Sequence, residues 1–199
     1  RKGIGVYQVK AHGVAAHAGV DFEKGASAIT ELAGRVSELA GWVDAERGLT
    51  INPGLISGGT GVNVVAAEAE ARIEARAWTV VEQERFDVRL RGLRAANQRV
   101  RLEISGGINR PPMEATPASL ALAARAQAIA GELGFPLATA RTGGGSDGNF
   151  TAALGVPTLD GLGAVGGGAH SPGEHIVIGG LAARTALLAG LLAGLPTER

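Results

Sequence analysis

Residues 70–77 read Glu-Ala-Arg-Ile-Glu-Ala-Arg-Ala, and this stretch decides how the first half of the chain folds. Its apolar and charged side chains alternate strictly. Because successive side chains of a β-strand point to opposite faces, the alternation predicts a strand with one buried and one polar face. The buried set is Ala71, Ile73, Ala75 and Ala77, and the polar set is Glu70, Arg72, Glu74 and Arg76.

A strand, a helix and a second strand are predicted before this stretch. Residues 4–11 carry Val and Tyr, which favour a strand. Apolar residues between positions 26 and 40 recur at helical spacing, and Gly41 stands where a C-cap is expected. Residues 49–57 predict the second strand, and Pro53 removes a backbone donor from it. We therefore expect this strand at an edge of the sheet.

A helix and a further strand are predicted after residues 70–77. The helix covers residues 82–94, and apolar positions 100, 102 and 104 then alternate with charged ones. The predicted order is βαββαβ, which is typical of an antiparallel sheet with two helices on one face, the ferredoxin-like arrangement. We expect residues 1–108 to form one α+β domain of this topology.

The pattern changes after Pro111 and Pro112. A helix over residues 122–133, short strands at 137–140 and 156–159, a further strand and a final helix are predicted, an alternation typical of a parallel α/β layer. Because so few strands make a very narrow sheet, we expect residues 109–199 to be a partial α/β domain.

Composition excludes several classes of partner. The formal net charge is zero, so no basic field attracts nucleic acid or anionic lipid, and a small molecule or peptide is the expected partner. The most apolar run, residues 181–195, is shorter than the roughly 20 residues that span a bilayer. The absence of cysteine leaves His, Asp and Glu as possible metal ligands. The chain begins without Met, as though truncated, so the absence of a leader sequence carries little weight, and a cytoplasmic protein is expected.

Two glycine-rich loops carry candidate functional residues. Residues 166–174 read Gly-Gly-Gly-Ala-His-Ser-Pro-Gly-Glu, and a histidine between glycines and a proline is either a hydrogen-bonding surface residue or a metal ligand. Residues 142–147 read Thr-Gly-Gly-Gly-Ser-Asp and precede a predicted helix at 148–154. Ser146 or Asp147 is an N-cap candidate there, and the loop's free N–H groups also suit a substrate carboxylate.

A serine hydrolase is an alternative interpretation of the same loops. Residues 144–148 fit the Gly-x-Ser-x-Gly pattern of a nucleophile elbow, and Asp160 and either His170 or His175 follow Ser146 in the order of a catalytic triad. The predicted strand before Ser146 is short, and a third glycine loosens the turn, which disfavours this interpretation.

Three further residues are weak candidates when each is taken alone. His17 lies in a predicted loop after the first strand, and Asn63 is a turn or cap candidate before residues 70–77. Arg76 lies on the polar face of its strand, where cross-strand ion pairing is the default expectation.

Taken together, four segments resemble the M20 family of dinuclear zinc peptidases, which includes glutamate carboxypeptidase, aminoacylase and succinyl-diaminopimelate desuccinylase. The segments are AHAGVDFEKGASAITELA, GGTGVNVVAAEAEARIEARAW, RTGGGSDGNF and GGGAHSPGEH, and they occur in the family's order. The resemblance implies a dimerising βαββαβ lid and a catalytic α/β domain that hydrolyses a C-terminal amide of an acyl-amino acid or short peptide, in a homodimer joined through the lid.

The resemblance also implies roles for individual residues. His17 would be lent across the dimer to polarise the scissile carbonyl, and Asn63 and Arg76 would hold the substrate carboxylate. His170 would be a ligand of one of two zinc ions. The loop of Gly143, Gly144, Gly145 and Ser146 would border the substrate pocket.

The chain departs from the family pattern in two ways. Ala16, Phe22 and Ser27 replace residues that are common in the family at these positions. The family's first catalytic segment, with the other metal ligands and the glutamate base, does not occur in the 199 residues. We therefore expect this polypeptide to be inactive alone, and a non-catalytic dimerisation or ligand-binding module derived from such an enzyme is the second hypothesis.

Overall fold

The structure is a computed structural model that describes residues 1–194. The chain divides into two compact units. The first holds Arg1–Glu114 together with Thr142–Gly145, and the second holds Ala115–Arg141 and the chain from Ser146 onward.

The first unit contains the predicted elements in the predicted order. Strand β1 covers Gly3–His12, helix α1 Ala28–Ala40, strand β2 Thr50–Gly58, strand β3 Glu68–Ala77, helix α2 Val80–Arg91 and strand β4 Arg101–Arg110. Both helices begin at a hydroxyl cap: Ser27 Oγ accepts the Thr30 N–H, and Thr79 Oγ1 accepts the Glu82 N–H. Gly41 is the C-cap of α1, as predicted.

The four strands form one antiparallel sheet in the order β2-β3-β1-β4. Strand β2 lies at an edge, which confirms the expectation from Pro53, and its register with β3 shifts between Pro53 and Leu55. At one end of the sheet, Ile4 of β1 pairs with Arg76 of β3 on one side and with Arg110 of β4 on the other.

One face of the sheet is buried and the other is open. The alternation of β3 is confirmed, because Ala71, Ile73, Ala75 and Ala77 are all buried. Leu32 and Leu39 of α1 and Phe86 and Leu90 of α2 belong to the same core, and burial of each such side chain contributes about 1.5–3 kcal/mol. The charged residues of β3 therefore share the open face with the even-numbered residues of β1.

The second unit is built mainly from helices. Helix α3 covers Pro117–Glu132, helix α4 Gly148–Ala153 and helix α5 Leu181–Ala193, and strands β5 (Gly166–Gly167) and β6 (His175–Ile176) form a two-stranded antiparallel pair. Ala126 and Ala130 of α3 pack with Leu187 and Leu191 of α5.

Two predicted strands of this unit are wrong. Residues 137–140 and 156–159 are not strands, and β5 and β6 are the unit's strands within the described residues. Extended apolar segments become strands only when a neighbouring strand accepts their hydrogen bonds, and neither segment has such a neighbour in residues 1–194. The predicted parallel layer is therefore not formed there.

Helix α5 covers most of the apolar run predicted at residues 181–195, whose last residue lies outside the described part of the chain. Among residues 1–194, no helix combines the length and the apolar character needed to cross a membrane.

Candidate functional site

His17 lies in a tight turn after β1. Its carbonyl accepts the N–H groups of Val20 at 3.3 Å and Asp21 at 3.0 Å. Its imidazole is exposed, and ring atom Nδ1 accepts the backbone N–H of Gly19 at 3.1 Å. The turn and the ring contact together fix the side chain at the surface.

The segment that carries Asn63 runs beside this turn. The Ala18 N–H donates to the Asn63 carbonyl at 2.9 Å, and the Val65 N–H donates to the Ala16 carbonyl at 2.9 Å. An isolated antiparallel bridge joins His17 to Val64 between these two bonds. The structure therefore brings His17 and Asn63, predicted from different motifs, into one backbone cluster.

Arg76 lies on the open face of the sheet with both sides of its guanidinium engaged. Its Nε donates to Glu74 Oε1 at 2.7 Å, and its Nη1 donates to the Gly143 carbonyl at 2.8 Å. The predicted ion pair exists, but within one strand instead of across strands. The second contact joins Arg76 to the first glycine loop.

The loop of Thr142–Gly145 lies on the same end of the first unit's sheet. Arg1 Nη1 donates to the Gly144 carbonyl at 3.1 Å, and the Lys2 N–H donates to the Thr142 carbonyl at 3.3 Å. A Cβ on Gly145 would lie 2.9 Å from Arg110 Cδ and 3.0 Å from Ile4 Cδ1, so this glycine permits a close approach.

Positive charge gathers at this end of the sheet. The Lys2 side chain is buried, with Nζ 3.2 Å from Thr50 Oγ1 and 5.3 Å from the centroid of the Trp78 ring. Burial, and then the charge of Arg76, lower the pKa of Lys2 from its ordinary value. Arg1 and Arg76 reach neighbouring carbonyls of one loop. Such a setting suits an anionic group such as a carboxylate.

The two clusters of the first unit lie at opposite ends of the sheet. Arg76 pairs with Ile4 near the start of β1, whereas the His17 turn follows the end of β1 at His12. Eight residue steps separate Ile4 from His12, which at 3.3 Å per residue is about 26 Å. Within one chain, therefore, the His17 and Asn63 cluster does not meet Arg76.

Ser146 begins the turn that leads into α4. Its N–H donates at 3.0 Å to Oδ1 of Asn149, a fully buried residue. Asp147 is the N-cap of α4, as one of the two predicted candidates, although its side chain makes no cap hydrogen bond. A nucleophile elbow needs a strand before its serine, and residues 137–145 contain none. This geometry disfavours the serine hydrolase interpretation.

His170 lies in the turn between β5 and β6. The backbone angle φ is positive at both His170, where it is 63°, and Gly168, where it is 71°. Ser171 Oγ donates to the Gly168 carbonyl at 2.7 Å, and Glu174 Oε2 accepts the His170 N–H at 3.3 Å. These bonds hold the backbone, and the exposed imidazole makes no hydrogen bond or ion pair with the described residues.

A metal centre is not assembled by these residues alone. Across residues 1–194, no three His, Asp or Glu side chains are grouped to hold a metal ion. Catalytic zinc uses three protein ligands, so the described residues do not fit the ion as a set and support no chemical step through it. His170 is available only as a single ligand.

Glu74 and Gly19 were not among the residues predicted to take part in the site. Glu74 was one of four charged residues on a strand face, and only its contact with Arg76 distinguishes it. Gly19 acts through its backbone N–H, for which the sequence carries no signal beyond its position two residues after a histidine.

Comparison with known proteins places the chain in a family. Residues 1–99 match the model of the M20 peptidase dimerisation domain. Carboxypeptidase G2 of Pseudomonas sp. (strain RS-16) is 29% identical over 197 residues, which is 96% of this chain and 47% of that protein. Succinyl-diaminopimelate desuccinylase of Nitrosococcus oceani is 30% identical over 144 residues, which is 72% of this chain and 38% of that protein.

A solved structure supports the fold. The structure of a dinuclear metal-binding peptidase of the M20 family from Bacillus subtilis matches with a TM-score of 0.72 and 16% identity, over 96% of this chain and 49% of that one. The chain spans less than half the length of the two curated relatives. By its dimerisation domain and these relatives, the chain belongs to the M20 peptidase family.

Proposed function

We propose that this chain is part of a metal-dependent hydrolase that cleaves the C-terminal amide or peptide bond of an acyl-amino acid or short peptide. In this proposal residues 1–108 are a dimerisation lid of ferredoxin-like topology, and residues 109–199 are the C-terminal portion of the catalytic α/β domain. The observation that carries it is the Arg76 guanidinium on an open sheet face, oriented by Glu74 and directed at the Gly143 carbonyl.

Arg76 is the proposed carboxylate-binding residue. A guanidinium presents N–H groups in a planar fork that matches a carboxylate, and Arg1 and Lys2 add positive charge beside it. Gly143, Gly144, Gly145 and Ser146 form the proposed wall of the substrate pocket. Because the three glycines have no side chains, a ligand can closely approach the backbone of this loop.

His17 is the proposed donor to the carbonyl oxygen of the scissile bond, with Asn63 beside it. Strand β1 runs about 26 Å from Ile4, which pairs with Arg76, to His12, which precedes the His17 turn. In this proposal His17 and Asn63 therefore act on the substrate that is bound at Arg76 of the partner subunit in a homodimer. Edge strand β2 supports the dimer, since Leu55 and Ile56 expose apolar side chains there. A second copy would cover them.

His170 is the proposed ligand of one of two zinc ions. Zinc, when bound, supplies a Lewis acid and lowers the pKa of its water. Since His170 alone cannot hold catalytic zinc, we expect residues 1–199 by themselves to be inactive.

Metal content and turnover of the intact gene product that contains these residues test the proposal. We expect bound zinc and hydrolysis of acyl-amino acids or short peptides, and loss of one metal and nearly all turnover in His170→Ala. His175→Ala is the matched control, because it removes a histidine of the same hairpin. Absence of both zinc and hydrolysis in the unmodified gene product would overturn the proposal.

A non-catalytic dimerisation or ligand-binding module is the second candidate. The lack of a grouped metal-ligand set within residues 1–194 favours it. The same measurements separate the two, because a module forms dimers without zinc or turnover. A serine-directed covalent inhibitor tests the remaining alternative, which requires labelling of Ser146.

A further inference from the structure

The hydrogen bond between Gly19 and His17 determines which ring nitrogen carries a proton. The Gly19 N–H donates to His17 Nδ1 at 3.1 Å, so Nδ1 is the acceptor and is unprotonated. A neutral imidazole carries its single N–H on the other nitrogen. We propose that the Gly19 backbone N–H fixes His17 as the Nε2–H tautomer, which makes Gly19 a positioning residue for the proposed carbonyl-polarising role.

The turn around His17 keeps the Gly19 N–H in place. Val20 and Asp21 both donate to the His17 carbonyl, and Ala18 donates to the Asn63 carbonyl. The neighbouring N–H groups are thus used by the backbone, and that of Gly19 is directed to the ring. Since the backbone of residues 17–21 is anchored to the Asn63 segment, the ring and its donor are held together.

The tautomer has a chemical consequence. With Nδ1 occupied, the exposed ring presents Nε2–H, and Nε2 has no partner among the described residues. A neutral His17 therefore donates a hydrogen bond to a carbonyl oxygen or oxyanion without first gaining a proton. The same arrangement makes Nε2 unsuited to bind a metal, because a ligating nitrogen needs its lone pair.

His175 provides an internal comparison with the opposite arrangement. Its Nδ1 lies 2.9 Å from the Gly173 carbonyl oxygen, and a carbonyl only accepts. In neutral His175 the proton therefore lies on Nδ1, and Nε2 has the lone pair. One chain thus contains two histidines for which opposite tautomers are expected.

Nitrogen-15 NMR of the 199-residue chain tests the inference directly. At about pH 8, where a typical imidazole is neutral, we expect His17 to show a protonated Nε2 and an unprotonated Nδ1, and His175 the reverse. We also expect a scalar coupling between the Gly19 amide nitrogen and His17 Nδ1 across the hydrogen bond. A tautomer mixture at His17, or an Nδ1–H form, overturns the inference, and neither measurement requires a variant.

Two substitutions at residue 19 form a matched pair. Gly19→Pro removes the N–H, so we expect loss of the coupling and a tautomer mixture at His17. Gly19→Ala keeps the N–H, and its Cβ would lie at an ordinary 3.7 Å from His17 Cε1, so we expect the unmodified spectrum. An unchanged His17 tautomer in a folded Gly19→Pro chain overturns the inference.

The inference rests on the proposed role of His17, but different results would overturn the tautomer and the catalytic role. If the NMR result holds and His17→Ala in the intact gene product keeps full kcat, the catalytic role is wrong and the tautomer stands. If His17→Ala abolishes kcat and the NMR shows a tautomer mixture, the role stands and the positioning by Gly19 is wrong.

Discussion

Arg76 and Gly143, which are 67 positions apart, are joined by a hydrogen bond from Nη1 to the carbonyl oxygen at 2.8 Å. The resemblance to the M20 family implied a substrate-site role for each residue through a different motif, without indicating that the two residues touch. In the proposed substrate site, the Gly143 carbonyl occupies an Arg76 donor that a substrate carboxylate would use. Carboxylate binding at Arg76 must therefore compete with the loop for this N–H group.

Gly145 determines how closely the loop of residues 142–145 lies on the sheet. We expect Gly145→Ala to lift the loop, because the new Cβ would meet Arg110 Cδ at 2.9 Å and Ile4 Cδ1 at 3.0 Å. Overpacking of this kind costs at least about 1 kcal/mol, or about a fivefold change in an opening equilibrium. Hydrogen exchange of the Lys2 amide, which donates to the Thr142 carbonyl, measures the opening.

Gly143→Ala is the control for this experiment, since nothing lies within 4 Å of the position of its Cβ. We expect its Lys2 amide to exchange at the unmodified rate. Equal exchange in the two variants would show that the close approach of Gly145 does not hold the loop.

Tyr7, the single tyrosine of the chain, makes alkaline unfolding directly observable. Tyr7 is 1% exposed, and burial, followed by the charge of Asp87, raises the pKa of its phenol above the ordinary value. The folded state favours the neutral phenol, so the stability it contributes is complete below about pH 10 and is lost as pH rises towards the folded pKa. We expect tyrosinate absorbance to appear only together with loss of the circular dichroism signal.

The Tyr7→Phe variant isolates this effect from that of Lys2. The pKa of Lys2 is lowered, so Lys2 acts in the opposite sense as pH rises, and it is unchanged in the variant. We expect the variant to unfold at a higher pH than the unmodified chain. Reversible ionisation near pH 10 in a fully folded chain would contradict the burial argument.

Glu31 anchors the segment between α2 and β4. Its two carboxylate oxygens accept the N–H groups of Ala96 at 2.8 Å and Asn97 at 2.9 Å, and Arg35 pairs with the same group at 3.2 Å. Glu31→Gln turns one acceptor into a donor that faces an N–H group. We expect a loss of about 1.5–3 kcal/mol in the free energy of unfolding.

Urea unfolding followed by tryptophan fluorescence measures this loss, because Trp42 and Trp78 both lie in the first unit. Glu38→Gln is the control: Glu38 pairs with the same Arg35 but is exposed, and we expect less than about 1 kcal/mol. A larger effect at Glu38 than at Glu31 would refute the anchoring role.

Residue patterns predict the first unit well because its signals are local. Each signal depends only on nearby residues: the strict alternation along β3, the proline in β2 and the glycine after α1. The strands predicted at 137–140 and 156–159 failed because a strand also needs a neighbour, which a local pattern does not contain. A local pattern also does not contain which distant residues lie together. The site roles expected for His17, Asn63 and Arg76 therefore came without their division into two clusters at opposite ends of the sheet.

The edge strand β2 supports a prediction about oligomeric state. Leu55 is 64% exposed on this strand, and a lysine there would oppose pairing with a second copy. We expect Leu55→Lys to convert a dimer to a monomer in light scattering after size exclusion. Val88→Lys on α2 is the control, since Val88 is 71% exposed and lies away from the edge. A dimer that survives Leu55→Lys would exclude pairing through β2.

The separation of His17 from Arg76 predicts complementation between inactive variants of the intact gene product. In a dimer of His17→Ala and Arg76→Ala subunits, one site combines the intact Arg76 of one subunit with the intact His17 of the other. Half the dimers in a random mixture are of this kind, and each has one working site out of two. We therefore expect about a quarter of the unmodified activity after the two inactive proteins are mixed and allowed to exchange subunits.

A second mixture, His17→Ala with Asn63→Ala, is the matched control. Because Ala18 binds the Asn63 carbonyl and Val65 binds the Ala16 carbonyl, His17 and Asn63 move as one cluster. Every site in that mixture receives a cluster with one residue missing, so we expect no recovery beyond the activities of the two variants. Recovery in the control, or none in the first mixture, would show that His17 and Asn63 do not serve the partner's site together.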